Sequence, residues 1–506
     1  MIQIVAVIAI VVFMLVCVIV GVLSSKQAGS VEGFFLGGRR MGPWLSAFSY
    51  GTSYFSAVIF IGYAGMFGWL IGAGSILIGV GNAVIGCLIA WLVLAKPTRR
   101  MTHKLNASTV PEFFAKRFGG PRMKVYAALI IFIFLVPYAA GVYKGLGTLF
   151  SAIFNGAPAT ACMLIVALLT AIYLVLGGYI ATAWNDLIQG IIMFVGITIM
   201  VIILIQRPEV GGPVEMFERL KAIDPGLIDF TGGSMKKTLL INIAVTSFGV
   251  WGMPQMVHKY YAIKDESSIK YATIISTIFA AFIGCGAYLV GSMGHLFIEA
   301  GPNGTPAIEG GFDNVVPTIL IQALSNGIFP IIVLCVIMLL LLSASMSTLS
   351  ALVLSSSSAV TLDLIGSFRP NMSEKKRMLS LRGFCVIFIA ASFIFATMNI
   401  SFIVNLMSFS WGVIAGAFIG PFLWGLYGKN FVTKAGAWAG LIGGPAAIAI
   451  LLSVNIATLG FDAAKSMAPE FAVTAMAVSV IAVPIGSLLT GGLKKQRESK
   501  LLDEAV

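Results

Sequence analysis

The sequence has few charged residues and few side chains that bind transition metals. Lys, Arg, Asp and Glu make up 10% of its 506 residues, against 58% hydrophobic residues. Its six cysteines and three histidines are scattered singly, without the spacing of a metal site or a disulfide framework. This composition excludes a soluble globular enzyme, a transition-metal centre and a disulfide-rich secreted domain.

The sequence also lacks a polar stretch long enough to form a separate soluble domain. The longest one, 207–237, is too short to bury a core of its own. No glycine-rich nucleotide loop and no catalytic acid–base pair stands out. We therefore predict no enzymatic activity, no nucleotide-driven pumping, no organic cofactor and no obligatory protein partner.

Long apolar runs dominate the sequence. The mean hydropathy is +0.99, and about 20 consecutive apolar residues suffice to cross a bilayer. The chain is thus predicted to be an all-α, multi-pass protein of the cell (inner or plasma) membrane. The apolar run from Met1 to Leu23 has no basic region before it and is expected to be a retained helix. The predicted spans are 2–23, 43–70, 73–95, 123–150, 158–177, 181–206, 238–257, 271–298, 327–360, 380–398, 402–427, 434–455 and 471–490, thirteen in all.

The net charge of +12 lies mostly in alternate loops. If the N-terminus is outside, the segments inside carry 25 Lys and Arg residues and those outside carry six. Because basic residues favour the cytoplasmic side, the N-terminus is predicted to be out and the C-terminus in. The basic segment 96–124 is then a loop facing the anionic lipids of the bilayer, and no nucleic-acid binding is predicted.

A row of hydroxyls interrupts the apolar run that begins at Ile331. Ser343, Ser347 and Ser350 recur at i, i+4 and i+7 and share one helix face, with Thr348 beside them. Hydroxyls at membrane depth need a partner in another helix or an ion. Neutral oxygens suit a weakly held alkali cation, whereas close packing of small residues is the alternative interpretation.

Two predicted spans carry helix breakers near their centres. The span 43–70 contains SYGTSYFSAV, and the span 238–257 contains FGVWGMPQM. Glycine tolerates unwinding, and proline removes a backbone donor. Paired interrupted helices point to the binding site of a transporter, and kinks used for packing are the alternative.

Two charged residues fall inside predicted spans. Asp186 is an intramembrane carboxylate, a type of group that marks ion and proton sites; solvation or capping after Gly177 and Gly178 is the alternative. Lys144 lies toward the outer end of its span. It is predicted to snorkel to the outer headgroups, or else to neutralise an anionic solute on its way in.

These stretches resemble the sodium:solute symporter family over nearly the whole chain. The matching motifs are FFLGGRRMGPW, GGYIATAWNDLIQG, FGVWGMPQ and SASMSTLSALVLSSSSAVTLDL. The likeness is greatest to bacterial pantothenate and proline symporters. It implies a leucine-transporter-type fold in a single domain, 1–506. Its parts would be an extra N-terminal helix and loop at 1–42, inverted five-helix repeats at 43–206 and 238–427, and C-terminal helices with a cytoplasmic tail at 428–506.

The resemblance also implies a site for sodium, the one metal expected. Its ligands would be three backbone carbonyls and two hydroxyls, those of Thr52, Phe55, Ala344, Ser347 and Thr348. A second ion or proton site is implied at Asp186 and Ser350. Ala351 stands where a further ligand hydroxyl would help a second sodium, so the number of ions stays open.

The solute is less sharply defined. In similar proline carriers an aspartate occupies the position of Tyr54, and aromatic residues occupy those of Thr246 and Val250. The stretch SFGVWGMPQMVHKYYAIKDESSIK looks closer to the pantothenate carriers. Anionic groups also favour the N-termini of broken helices. The candidate solute-binding residues are Ser53, Tyr54, Ser56, Trp251, Pro254 and Lys144.

We therefore expect a sodium-coupled symporter that imports a small organic solute across the bilayer by alternating access. The expected solute is a carboxylate, either pantothenate or another monocarboxylate. A sodium-coupled carrier of an amino acid such as proline and a proton-coupled carrier of the same fold are alternatives. A membrane sensor that binds the solute without moving it is a third.

Overall fold

The structure, a computed structural model, describes residues 2–154, 158–324, 328–398 and 402–494. Within these ranges the chain is helical, with two isolated bridges and no strand. The predicted all-α class is confirmed. The start of the predicted span 327–360 and the part of the predicted tail from 495 onward lie outside the described residues.

The described residues of the first half form ten α-helices, several of them joined by π-helical turns. The turns are Val58–Tyr63, Asn82–Ile89 and Trp91–Ala95. The helices are α1 Ile2–Ser24, α2 Val31–Leu36, α3 Pro43–Tyr54, α4 Ala64–Ile71, α5 Ile76–Gly81, α6 Lys96–Lys104, α7 Val110–Phe118, α8 Pro121–Ile153, α9 Ala159–Ile205 and α10 Pro213–Ile223.

The second half repeats the alternation of long helices with short connecting ones. A π-helical stretch, Ala359–Ile365, extends the serine-rich helix α16. The helices are α11 Lys236–Gly252, α12 Pro254–Ala262, α13 Glu266–Ser292, α14 Gly294–Phe297, α15 Val315–Leu324, α16 Ile328–Ser358, α17 Gly366–Phe368, α18 Glu374–Thr397, α19 Ile403–Tyr427, α20 Lys434–Leu459, α21 Phe461–Ser466 and α22 Ala468–Leu489.

By length and apolarity, ten helices of the described chain can cross a membrane, or eleven when α11 and α12 count as one bent span. Two of the ten, Val58–Lys104 and Ala159–Ile205, are 47 residues long. A helix of that length measures about 70 Å, more than twice the roughly 30 Å of a bilayer core. Each is interrupted by a glycine of positive φ, Gly72 at 66° and Gly178 at 55°, and so has room for two crossings. The count of thirteen spans and the two repeats stay predictions.

Both predicted helix interruptions are present, and each lies within a few residues of the glycines in its predicted span. α3 ends at Tyr54, and Phe55 is extended, with φ −102° and ψ 105°. α11 ends at Gly252, Met253 is extended, and α12 sets off at 48°. Gly51 lies inside α3, where a methyl group would overlap the ring of Phe279.

The predicted cytoplasmic segments meet at one end of the bundle. Arg39 donates to the carbonyl of Ala107 at 2.9 Å, and Arg99 donates to that of Ile263 at 3.1 Å. The segment predicted as a loop contains α7, because Thr109 caps its first turn by accepting from the backbone of Glu112. The basic loops therefore share one face, and the assignment of that face to the cytoplasm stays a prediction.

The serine-rich helix lies at the centre of the bundle. In its membrane-spanning part 89% of the residues of α16 are buried, and the same fraction holds for α19. The corresponding fraction is 22% for α20, whose side chains mostly face outward. The hydroxyls of α16 thus lie in the protein interior and not against lipid.

Where α4 crosses α13, two glycines allow the backbones to touch. A methyl group at Gly291 would overlap the carbonyl oxygen of Ala64, and one at Gly68 would overlap the backbone of Gly291. A methyl group added at Gly383 in α18 would meet no neighbouring atom within 4 Å. Small residues permit this kind of close helix packing in membranes.

We predict that Gly291→Ala destabilises the protein and Gly383→Ala does not. Forcing the helices apart should lower the free energy of unfolding by about 1–3 kcal/mol. Thermal unfolding in detergent measures the difference, with Gly383→Ala as the matched control. Equal melting temperatures for the two variants would contradict the close crossing.

Candidate functional site

The polar centre of the molecule lies where the broken end of α3 meets the middle of α16. α3 ends at Tyr54, so the carbonyls of its last turn lack the usual partners further along the helix. The Thr348 hydroxyl lies 3.2 Å from the carbonyl oxygen of Thr52 and 3.4 Å from that of Ser53. The break therefore presents backbone oxygens to a hydroxyl at membrane depth.

Asp186 of α9 joins this centre through two serines. The Ser347 hydroxyl donates to its Oδ1 at 2.7 Å and lies 2.6 Å from Oγ1 of Thr52. Ser49 donates to Oδ2 at 2.5 Å. All four side chains are fully buried. The intramembrane acid is thus part of a hydrogen-bonded cluster with α3 and α16, and is neither solvated nor a helix cap.

The structure brings together three of the five residues predicted to bind sodium, namely Thr52, Ser347 and Thr348. The other two are fully buried nearby. Phe55 is the extended residue at the break, and Ala344 lies one helical turn before Thr348. Such a set offers neutral oxygens from two helices, which is the chemistry of an alkali-cation site.

Ser350 does not take part in the cluster around Asp186. Its hydroxyl donates at 2.8 Å to the carbonyl of Ser347, three residues earlier in the same helix. Ser350 shares a helix face with Ser347, but its hydroxyl does not reach the carboxylate of Asp186. The second ion or proton site at Asp186 and Ser350 stays a prediction.

A buried lysine just beyond the predicted span 238–257 reaches the same cluster. Lys259 of α12 is 2% exposed, and its ammonium donates to Ser49 at 2.7 Å. The ammonium also lies 5.1 Å from the centre of the Tyr179 ring. The 48° bend before α12 turns this residue toward the protein interior. The one sequence signal was its place beside the aromatic pair Tyr260 and Tyr261.

Three predicted solute-binding residues use their polar atoms within the protein. The Tyr54 hydroxyl donates to the carbonyl of Thr246 at 2.7 Å. Trp251 donates to the carbonyl of Ile85 at 3.1 Å, and the Ser56 hydroxyl accepts from the backbone N–H of Val58 at 3.2 Å. These contacts give each residue a structural role at the break.

Other polar atoms near the break have no partner among the described residues. They are the hydroxyl of Ser53 and the indole N–H of Trp411, both buried. The Trp411 ring stacks on Tyr54 at 6.4 Å and meets the edge of Tyr138 at 5.8 Å. Unpaired buried donors of this kind are suited to a ligand. Trp411 and Tyr138 were not among the predicted residues, because aromatic side chains in apolar helices resemble ordinary core.

Lys144 lies away from the break, in a cavity of about 620 Å³ at the end opposite the basic loops. Its ammonium is 3.1 Å from a carboxylate oxygen of Asp313 and 5.9 Å from the centre of the Phe402 ring. Burial raises the pKa of Asp313, and the charge of Lys144 opposes that shift. Lys144 therefore forms an ion pair with Asp313, and its two predicted roles stay predictions.

Pro254 lines a narrow pocket on the side of the basic loops, together with Phe35 and His258. A wider cavity of about 720 Å³ shares Phe35 and Ser108 with this pocket. No group of three or more His, Cys, Asp or Glu residues in the described chain is placed to hold a metal ion.

Comparison with known proteins gives consistent matches. The profile of the Sodium:solute symporter family matches residues 34–444. A sodium/proline symporter of Haemophilus influenzae is 30% identical over 475 residues, 92% of this chain and 92% of that protein. The osmoregulated proline transporter OpuE of Bacillus subtilis is 28% identical over 485 residues, 95% and 94% of the two chains.

Solved structures support the fold. A Na⁺-coupled sialic acid symporter in a substrate-bound, outward-open state matches with a TM-score of 0.79 at 19% identity, over 96% of this chain and 97% of that one. MhsT in complex with L-phenylalanine matches with a TM-score of 0.51 at 14% identity, over 90% and 99%. These likenesses confirm the predicted leucine-transporter-type fold.

We predict that Tyr54→Phe destabilises the protein, whereas Tyr288→Phe does not. The first change removes the hydrogen bond from the Tyr54 hydroxyl to the Thr246 carbonyl, which should cost about 1 kcal/mol. The Tyr288 hydroxyl is buried and has no partner among the described residues, so its loss removes no hydrogen bond there. Melting temperatures in detergent compare the two. A larger decrease for Tyr288→Phe would argue against a structural role of the Tyr54 hydroxyl.

Proposed function

The chain belongs to the sodium:solute symporter family and is therefore a sodium-coupled secondary transporter, and we propose that its solute is an amino acid of the proline type. It is a multi-pass membrane protein, and in a bacterium its place is the plasma membrane. The relatives named above as proline transporters support this solute, and the pantothenate expectation finds no support among them.

Sodium, in our proposal, binds between the broken end of α3 and α16. Its ligands would be the five oxygens predicted from the sequence, those of Thr52, Phe55, Ala344, Ser347 and Thr348. Carbonyls and hydroxyls can replace the water around sodium without adding a negative charge. Because these oxygens come from two helices, bound sodium would favour one relative position of the helices over another.

The solute would bind beside the break, against Ser53, Tyr138 and Trp411. The observation that carries this proposal is the pair of buried, unpartnered donors on Ser53 and Trp411. None of these three side chains carries a charge, so a zwitterion without net charge fits better than a monocarboxylate anion. The aromatic faces would also pack against a small ring and its amine.

Tyr54 stands where the resemblance to proline carriers implies an aspartate. Its hydroxyl is engaged with the Thr246 carbonyl, so in our proposal Tyr54 shapes the pocket without binding the amine. The solute amine would then rest on Trp411 rather than on a carboxylate. The proposed solute is therefore a small neutral amino acid, and proline is the first candidate because of the relatives named above.

Uptake into proteoliposomes tests this function. With an inward sodium gradient, labelled proline should accumulate several-fold above its equilibrium level, and pantothenate and lactate should not. A choline gradient of equal size and a protonophore are the controls. Accumulation of pantothenate alone would refute the amino-acid proposal. Accumulation that persists without sodium and stops with the protonophore would indicate proton coupling.

We predict that Thr348→Ala raises the sodium concentration needed for half-maximal uptake. Loss of one ligand oxygen worth about 1.4 kcal/mol corresponds to about a tenfold increase. Thr348→Ser keeps the hydroxyl and should keep most of the sodium affinity. Ser345→Ala is a further control, because that hydroxyl donates to its own helix at Leu341. Unchanged sodium dependence in Thr348→Ala would rule out this ligand.

A further inference from the structure

The buried charge of Lys259 lies on the side of Asp186 away from the proposed sodium site. Ser49 connects the two groups, with its oxygen 2.7 Å from the ammonium and 2.5 Å from Oδ2 of the carboxylate. The opposite carboxylate oxygen, Oδ1, accepts from Ser347, which contacts Thr52. Asp186 thus has an ammonium on one side and hydroxyls of the proposed sodium site on the other.

Because Asp186 and Lys259 are buried, their charges limit how many cations can bind beside them. Asp186 is fully buried and Lys259 is 2% exposed, so both lie away from water. An unpaired charge at membrane depth is costly, and such groups are found paired. With Lys259 in place, the carboxylate is already neutralised before any ion binds. A first sodium on neutral oxygens adds one positive charge, and a second would add another with no anion left to balance it.

The same geometry shows where a second ion would bind without the lysine. The Ser49 oxygen contacts both the ammonium and Oδ2 of Asp186, and the ammonium lies 5.1 Å from the centre of the Tyr179 ring, so the oxygens of Ser49 and Asp186 are the ones that a cation at this place would meet. These are hard oxygen ligands suited to an alkali cation. The Lys259 ammonium occupies that place, as a cation tethered to α12.

We propose that Lys259 is the built-in counter-ion of Asp186, that it takes the place of a second sodium ion, and that one sodium therefore accompanies each solute. The proposal rests on the proposed sodium site, and it extends that site by naming the residue that sets the number of ions. It assigns Lys259 a positioning and specificity role, since its ammonium contacts neither the solute pocket nor the proposed sodium ligands directly.

Equilibrium binding of radioactive sodium to the purified protein tests the proposal without any solute. The unmodified protein should bind about one sodium ion, and Lys259→Met about two, because the carboxylate then lacks a cation. Lys259→Arg, the matched control, keeps the charge and should bind one. The double variant Lys259→Met with Asp186→Asn removes both charges and should again bind one.

The number of sodium ions bound by each variant tests a different part of the proposal. Two ions on the unmodified protein, or one on a folded Lys259→Met variant, would overturn the role of Lys259 while leaving sodium symport intact. No sodium binding at all would overturn the proposed sodium site itself. If Lys259→Met does not fold, Lys259→Gln, which also removes the charge and keeps Asp186, takes its place in the comparison. Loss of sodium from the folded double variant would show that Asp186 serves the first ion.

Discussion

Backbone carbonyls freed at the end of α3 face the hydroxyls of α16, and the arrangement of the surrounding helices follows from that contact. Unwound backbone is stable at membrane depth when protein or a bound ion satisfies it. Thr348 supplies one such partner, and the central position of α16 keeps lipid away from the break. The outer helices, such as α20, complete the enclosure with apolar faces turned outward.

Much of this arrangement could be predicted from the sequence, because the membrane imposes simple rules. A bilayer of fixed thickness sets the length of each apolar run, so most predicted spans fall within a few residues of the helices. Glycine and proline identified the two interrupted helices. Hydroxyls in an apolar run, together with Asp186, identified the polar centre, since neither is stable in lipid without a partner.

The features that could not be predicted depend on where helices bend and where side chains point. Lys259 follows a proline and precedes a basic loop, so its sequence favours the cytoplasm; the 48° bend at Met253 places it in the interior instead. The i, i+3 spacing put Ser350 on the face of Ser347, but its hydroxyl turned back to its own helix. Trp411 gave no signal, because its neighbours Tyr54 and Tyr138 come from distant parts of the chain.

Two sets of hydrogen bonds around the break in α3 bear on how sodium binding could be coupled to helix movement. Tyr54 ties α3 to α11, and Ser49 ties α3 to Lys259 of α12, so both halves of the second broken helix are linked to the first. α9 and α16 meet this group through Asp186, Ser347 and Thr348, at the proposed sodium site. If the two groups of helices move against each other during transport, the ion lies on their boundary. Its presence or absence would then act on the relative position of the two groups, which is what coupling by alternating access requires.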